Sequence, residues 1–173
     1  MQNVKYLFSS AYLNLPKNLS DEIIEWGEKN ILDENIFSKP ENPFLGREDS
    51  PHITILYGIH SNDYKKIFKL FKNEHSINLE LGEIYIFKES FWFDVVTISV
   101  KSSDLERLNS KLKANLKHTD KHDFYFPHIT IAYVKKKTNV CLEDDKTFDK
   151  RNLTIDTIYF SSKNGTKNSF KLK

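Results

Sequence analysis

Apolar and polar residues alternate along two short segments of this chain, and the two segments are almost identical. Residues 51–57 read Pro-His-Ile-Thr-Ile-Leu-Tyr, and residues 127–133 repeat the series with alanine in place of leucine. Alternation with a period of two predicts β-strands, and proline is tolerated at the start of a strand. Because an internal sequence repeat indicates a repeated structural unit, these two segments predict two equivalent strands, one in each half of the chain.

Successive side chains of a strand point to opposite faces of its sheet. Each copy is therefore expected to bury its two isoleucines on one face and to present a histidine beside a threonine on the other. The residues expected on this second face are His52, Thr54, His128 and Thr130. Tyr57 and Tyr133 fall on the isoleucine face if both strands stay regular, which predicts packing rather than ligand contact for these two rings.

The rest of the chain alternates between strand-like and helix-like patterns. Strand patterns cover residues 5–15, 77–87, 92–100, 153–161 and 169–173, and helical spacing follows capping residues at 20, 61–63 and 103–104. A long polar loop, residues 33–50, leads into the first motif. No low-complexity linker separates the halves, and each half contributes a strand, a helix and a motif strand. We therefore predict an α+β chain, with one domain over residues 1–173 whose two-lobed sheet surrounds a central groove.

Composition narrows the class of ligand and the place of action. The 173 residues include 26 basic and 24 acidic side chains, for a net charge of +2. This near balance argues against a protein that coats long nucleic acid, but it permits a small anionic ligand in a local pocket. The single cysteine, Cys141, excludes an intramolecular disulfide and fits a reducing compartment. The sequence shows neither a signal-peptide core nor a membrane-spanning run, so we expect a cytoplasmic protein with no membrane or obligate protein partner.

Two matched histidines suit acid–base chemistry without a metal. The ordinary pKa of histidine is about 6.5, so one ring can take a proton from an attacking oxygen while the other protonates the leaving oxygen of a phosphoryl group. The paired threonine hydroxyls can donate to the non-bridging oxygens. A zinc site made from His52 and His128 would lack a third ligand, so we expect no metal and no other cofactor. A single His-x-Thr is usually a packed or solvated histidine, but two copies in identical frames favour function.

Paired His-x-Thr motifs in a chain of this size resemble the 2H phosphoesterase superfamily, which is named for its two histidines. The resemblance implies a bilobal, pseudo-two-fold α+β fold in which antiparallel sheets line a central groove and the helices lie outside. It also implies metal-independent chemistry on a nucleotide phosphodiester. The catalytic residues implied are His52, Thr54, His128 and Thr130.

Within this superfamily the two motifs look most similar to the phage anti-CBASS phosphodiesterases, which degrade cyclic di- and trinucleotide messengers of bacterial immunity. The Ser-Ala-Tyr segment ending at Tyr12 and the Phe-Trp-Phe-Asp-Val segment at residues 91–95 are similar as well. The resemblance implies hydrolysis of 3′–5′ bonds in a cyclic oligonucleotide, in the host cytoplasm if the protein is phage-encoded. We predict that Tyr12 and Trp92 stack on its bases, since such stacking contributes about 1–3 kcal/mol. The alternative is that both rings belong to the core.

Two other functions use the same sequence features. One is the opening of 2′,3′-cyclic phosphates on RNA ends by the same four residues, which the near-even charge mildly disfavours. The other is a nucleotide sponge that binds a messenger without cleaving it, which would not need two intact motifs. Lys39 and Arg47, in the loop before the first motif, and the run Lys135-Lys136-Lys137 are further candidates for phosphate attraction, although such charges are usually solvated.

Overall fold

Eight antiparallel strands form one curled sheet in the computed structural model, which describes residues 6–40, 42, 45–88, 90–138 and 145–173. The strands are β1 (Ser9–Asn14), β2 (His52–Ile59), β3 (Ile77–Phe87), β4 (Phe93–Lys101), β5 (His128–Lys135), β6 (Asn152–Ile155), β7 (Thr157–Ser161) and β8 (Lys167–Lys171). The helices of this part of the chain are α1 (Lys17–Asn30), α2 (Tyr64–Phe71) and α3 (Ser103–Asn115), with a short 3-10 turn at Asp33–Asn35. The α+β class predicted from the sequence is confirmed. Cys141 lies outside the described residues.

The strand order has an approximate two-fold symmetry. Along the sheet the order is β6-β3-β4-β5-β2-β1-β7-β8. An axis between β5 and β2 therefore exchanges the two motif strands, and it also exchanges β4 with β1, β3 with β7 and β6 with β8. The motif strands pair with each other at Ile53 and Ile129, which occupy the same place in the two sequence copies. The two halves are thus joined at the centre of a single sheet.

The isoleucines of both motifs lie in the core, as their alternation predicted. Ile53, Ile55 and Ile129 are fully buried, and Ile131 is almost fully buried. Helix α3 packs against β2 and β3, and α1 packs against β5. A Cβ atom at Gly27 of α1 would lie 2.9 Å from the Cγ2 atom of Ile131, so the absence of a side chain there permits close packing of the helix on the sheet. The opposite face of each motif strand is left for the groove.

The strand predicted over residues 153–161 is in fact two strands that belong to different halves of the sheet. Strand β6 pairs with β3, whereas β7 pairs with β1. Asp156 alone separates them, and its carbonyl accepts a hydrogen bond from the backbone N–H of Leu172 at 2.6 Å. A one-residue connection is long enough because the sheet is curled, which brings these two strands close together.

Candidate active site

The two motif histidines are held in the same way. The Nδ1 atom of His52 lies 2.9 Å from the carbonyl oxygen of Ser50, and Nδ1 of His128 lies 2.8 Å from that of Phe126. A carbonyl only accepts hydrogen bonds, so each Nδ1 carries the proton and donates. In the neutral ring the Nε2 atom is then a free acceptor, and in the protonated ring it becomes a donor. Both rings are therefore prepared for proton transfer through Nε2.

The pairing of the motif strands brings the four predicted site residues together. Because Ile53 lies opposite Ile129 in an antiparallel pair, the register places His52 across from Thr130 and His128 across from Thr54. All four side chains are partly exposed, in contrast to the buried isoleucines between them. Each histidine thus faces the threonine of the other copy, on the groove side of the sheet.

Both motif strands contain a β-bulge directly after the threonine. Ile55 is an extra residue of β2 relative to β1, and Ile131 is an extra residue of β5 relative to β4. An inserted residue reverses the face to which the following side chains point. The bulges therefore turn Tyr57 and Tyr133 onto the same face as the histidines and threonines.

The prediction that Tyr57 packs with the isoleucines is wrong for this reason, because its ring is 54% exposed. Tyr133 is half-buried. Each ring makes an edge-to-face contact with a phenylalanine, Tyr57 with Phe8 at 6.2 Å between centroids and Tyr133 with Phe93 at 5.3 Å. The groove consequently has an aromatic pair on each side of the four central residues.

The carbonyl groups of both bulges have partners from other parts of the chain. The buried side chain of Asn109, on α3, donates from Nδ2 to the Ile55 carbonyl at 2.7 Å. The Ile131 carbonyl accepts from the backbone N–H of Glu48 at 2.9 Å. A bulge leaves backbone groups without ladder partners, and these two contacts satisfy them. They also fix the path of each motif strand beside its threonine.

Glu48 makes the surroundings of the two histidines unequal. Its Oε1 atom accepts from the backbone N–H of Ser50 at 3.2 Å, and the carbonyl of the same serine holds His52. Burial raises the pKa of the Glu48 carboxyl, and the charge of a protonated His52 acts in the opposite direction. In the second sequence copy the corresponding position is Phe124. The carboxylate is therefore a feature of the His52 side.

Tyr12 lies in the site beside His52, but its ring is covered. It is 8% exposed, it contacts the His52 ring edge-to-face at 5.4 Å between centroids, and it stacks on Tyr159 at 5.7 Å. Burial raises the pKa of its hydroxyl. The structure thus brings Tyr12 to the predicted place, where its stacking partner is another residue of the chain. Stacking on a base remains a prediction.

Trp92 lies outside the core, at the turn that precedes β4. Its ring is 67% exposed and contacts Phe91 edge-to-face at 5.3 Å. The Lys39 ammonium lies 6.0 Å from the centre of the Trp92 ring and 5.8 Å from that of Phe37. The alternative that Trp92 packs in the core is therefore wrong, whereas its contact with a base stays a prediction. Lys39 is exposed beside this aromatic group.

Arg47 is occupied by the fold and is not available to a phosphate. Its guanidinium donates to the carbonyls of Gly27 at 2.6 Å and Ile31 at 2.5 Å, at the end of α1, and to the Asp33 carboxylate at 2.7 Å. Lys136 is likewise paired with Asp94 at 2.6 Å. The suggestion that Arg47 reaches a phosphate is wrong, because its guanidinium is bound at the C-terminal end of α1, where basic side chains interact favourably with the last helix carbonyls.

Replacing Arg47 with methionine is therefore expected to affect stability rather than activity. The loss of the contacts at the end of α1 should lower the free energy of unfolding by about 1–2 kcal/mol, which denaturant titration would measure. Lys29→Met, in the last turn of the same helix, is the matched control and should have little effect. A large fall in kcat at unchanged stability would instead indicate that Arg47 contacts the substrate.

Metal sites and membrane spans are both absent from the described residues. Within the part of the chain that the structure describes, no group of three or more histidine, cysteine or acidic side chains is arranged to hold a metal ion. None of the helices found there combines the length and apolar character needed to cross a membrane.

Comparisons with known proteins agree with this fold. The family profile described as the 2′-5′ RNA ligase superfamily matches residues 43–165. The structure is similar to E. coli LigT complexed with 3′-AMP, with a TM-score of 0.61 and 16% identity, over 98% of this chain and 96% of that one. TT0787 of Thermus thermophilus has a TM-score of 0.61 at 13% identity over 96% of both chains. Usb1 of Kluyveromyces marxianus has a TM-score of 0.61 at 7% identity, over 96% of this chain and 99% of its own. A search of curated protein sequences gave no match.

Proposed function

This chain belongs to the 2′-5′ RNA ligase superfamily of 2H phosphoesterases, and on that premise we propose that it is a metal-independent phosphodiesterase acting on cyclic di- and trinucleotide immune messengers. The observation that carries the enzymatic assignment is the pair of histidines anchored through Nδ1, each facing a threonine of the other motif. The resemblance of the motifs to anti-CBASS enzymes and the near-even charge support a short cyclic ligand, met in the cytoplasm.

In this mechanism the substrate supplies its own nucleophile. One histidine takes the proton of a ribose 2′-hydroxyl through Nε2, and the 2′-oxygen attacks the adjacent phosphorus. The bond from phosphorus to the 5′-oxygen breaks, and the second histidine gives its proton to that oxygen. The ring opens to a linear product with a 2′,3′-cyclic phosphate. Addition of water, with the two histidines in reversed roles, completes the hydrolysis.

The threonines and the rings beside the histidines have supporting roles. Thr54 and Thr130 would donate their hydroxyls to the non-bridging oxygens, where negative charge accumulates in the transition state. Tyr125 steadies one of these threonines, because its hydroxyl donates to the Thr54 carbonyl at 2.7 Å. Burial raises the pKa of Tyr125, which keeps this donor protonated.

The position of Glu48 distinguishes the two histidines. We assign His52 the role of general acid, because the Glu48 carboxyl lies on its side of the groove and has no counterpart at the matching position on the side of His128. Tyr12, Tyr133 and Asp49 are titratable groups that also lie near this pair in the described part of the chain, on β1, on β5 and in the same loop. His128 packs instead against Phe87, with 6.1 Å between ring centroids. His128 is then the general base of the first step.

Glu48→Gln tests this assignment of roles. Glu48→Gln removes the charge from the His52 side alone, so the alkaline limb of the pH profile of kcat, which reports the general acid, should move while the acidic limb stays in place. Asp49→Asn is the matched control, because Asp49 is exposed and next to Glu48 in sequence. A shift of the acidic limb instead would make His52 the base, and an unchanged profile would remove Glu48 from the mechanism.

The same family membership favours one alternative substrate. The name of the superfamily refers to an RNA ligase, which favours 2′,3′-cyclic phosphates on RNA ends as a second candidate substrate. The same four residues would open such an ester by activating water. The difference between the two functions then lies in substrate size and in contacts with the bases.

Product analysis by chromatography and mass spectrometry tests the proposed function. The protein would be incubated in excess EDTA with cyclic di- and trinucleotides, 2′,3′-cyclic mononucleotides and RNA that ends in a cyclic phosphate. Linear products from the cyclic oligonucleotides are the expected result. Turnover of 2′,3′-cyclic phosphates alone would move the protein to RNA processing, and tight binding without turnover would identify a sponge.

A further inference from the structure

A hollow of about 500 Å³ lies on the groove side of the sheet, next to His128. The residues that line it are Glu83, Tyr85, Phe87, Ser99, Val100, Phe126 and Pro127. Three contacts place it beside the histidine. The Phe126 carbonyl holds Nδ1 of His128, the Phe87 ring lies parallel to the His128 ring to within 20°, and Ser99 lies opposite His128 in the strand register.

The hollow has no equivalent with the same walls on the described His52 side. The two-fold relation of the strands matches Phe87 of β3 with Ser161 of β7. Phe87 comes two residues after Tyr85, which pairs with β4, and Ser161 comes two residues after Tyr159, which pairs with β1. It matches Phe126 with Ser50, because each comes two residues before a motif histidine. Aromatic walls therefore occur at these positions only on the side of His128. The two sides of the site therefore differ in these wall residues, although the strand order is nearly symmetric.

The lining suits a flat heterocycle with hydrogen-bond donors on its edge. Three aromatic side chains, Tyr85, Phe87 and Phe126, line it, and the exposed fraction of Phe126 is 63%. The Ser99 hydroxyl donates to the Glu83 carbonyl at 3.2 Å, so its proton is already engaged in a hydrogen bond between two lining residues. The Glu83 side chain is 64% exposed, and its ion-pair partner in the described chain is Lys146 at 4.0 Å. Its carboxylate can accept from two donors at once.

We propose that this hollow is a binding subsite for one nucleobase of the substrate, and that it prefers guanine. Guanine presents adjacent N1–H and N2–H₂ donors to a carboxylate, whereas uracil presents one donor between two carbonyls. The base would stack against the Phe126 ring while the phosphate of the same nucleotide lies at His128. The two places are close together because the Phe126 carbonyl is bonded to Nδ1 of His128. This inference deepens the proposed function, on which it rests, and names a base for one position of the substrate.

Isothermal titration calorimetry with mononucleotides tests the subsite without any turnover. The ligands are guanosine 3′-monophosphate, uridine 3′-monophosphate and ribose 3-phosphate, and the variants are Phe126→Ala and Glu83→Gln. Phe124→Ala is the matched control, since Phe124 is also exposed and its ring lies 6.4 Å from that of Phe126. We expect Phe126→Ala to weaken guanosine 3′-monophosphate binding by about 5- to 150-fold and to leave ribose 3-phosphate unchanged. Glu83→Gln should reduce the preference for guanine over uracil roughly tenfold.

Two kinds of weakened binding would also overturn the subsite. One is an equal loss of affinity for ribose 3-phosphate in Phe126→Ala, which would indicate a general distortion. The other is an equal effect of Phe124→Ala, which would indicate a non-specific aromatic surface. Failure of the proposed function is a separate result, because base-selective binding without any cleavage would leave the subsite standing. Cleavage with unchanged Kd in Phe126→Ala would remove the subsite alone.

Discussion

Replacing His128 with alanine should lower kcat for a cyclic dinucleotide by about 10²–10⁴-fold, since general acid–base catalysis contributes that much. The Nε2 atom of His128 is the group expected to take the proton of the attacking hydroxyl, and alanine offers no replacement. His52→Ala should cause a similar loss. The double variant should be little worse than either single variant, because the two rings act in the same step. Initial rates in excess EDTA measure all three.

His75→Ala provides the control for this experiment. His75 is exposed in the connection between α2 and β3, so the same change there removes an imidazole without touching the groove. Its kcat should equal that of the original protein, and the melting temperatures of all the variants should lie close together. Retention of more than about a hundredth of the activity in His128→Ala would contradict the mechanism, because loss of the general base should cost at least about 10²-fold.

Replacing Asn109 with alanine should produce the largest loss of stability among the polar substitutions considered. The Asn109 amide is buried and donates to the Ile55 carbonyl in the bulge of β2. Without it, that carbonyl has no partner for this hydrogen bond, at a cost of about 1–3 kcal/mol in the free energy of unfolding. The melting temperature should fall by roughly 2–10 °C, as measured by calorimetry.

Asn115→Ala separates this effect from a general change in helix α3. Asn115 lies on the same helix, but it is exposed and bonds to the carbonyl of Lys111 within the helix. Its loss should change the free energy of unfolding by less than about 0.5 kcal/mol. Equal effects of the two substitutions would show that the bulge does not depend on the Asn109 contact.

The sequence predicted the central residues because their pattern is local. Alternation with a period of two needs only neighbouring residues, and it correctly separated the buried Ile53 and Ile129 from the groove side of the strands. The cap of α2 at Asp63 is local as well, and Asp63 accepts from two backbone N–H groups of the first turn. The repeat also predicted that the two halves are equivalent, and the motif strands β2 and β5 do pair at the equivalent residues Ile53 and Ile129.

The missed features depend on contacts between distant parts of the chain. The bulge that turns Tyr57 is held by Asn109, and no turn residue marks it in the sequence. Glu48 reaches the groove because its backbone bonds to Ile131. The division of the predicted strand at Asp156 follows from the curl of the whole sheet. Helix α1 begins at Lys17, three residues before the predicted cap at Ser20, because Pro16 ends the preceding extended segment.

Asp156 also limits how a ligand can enter the groove. It connects strands of opposite halves, and those halves are already joined through the pairing of Ile53 with Ile129. One residue spans at most about 3.6 Å, so Asp156 keeps the ends of β6 and β7 close together. The halves are therefore connected at two places, which prevents a hinge motion that would separate them. Ligand entry is then expected without a separation of the two halves. Under the proposed function, the size of the cyclic substrate would then be selected at the entrance, before any bond is broken.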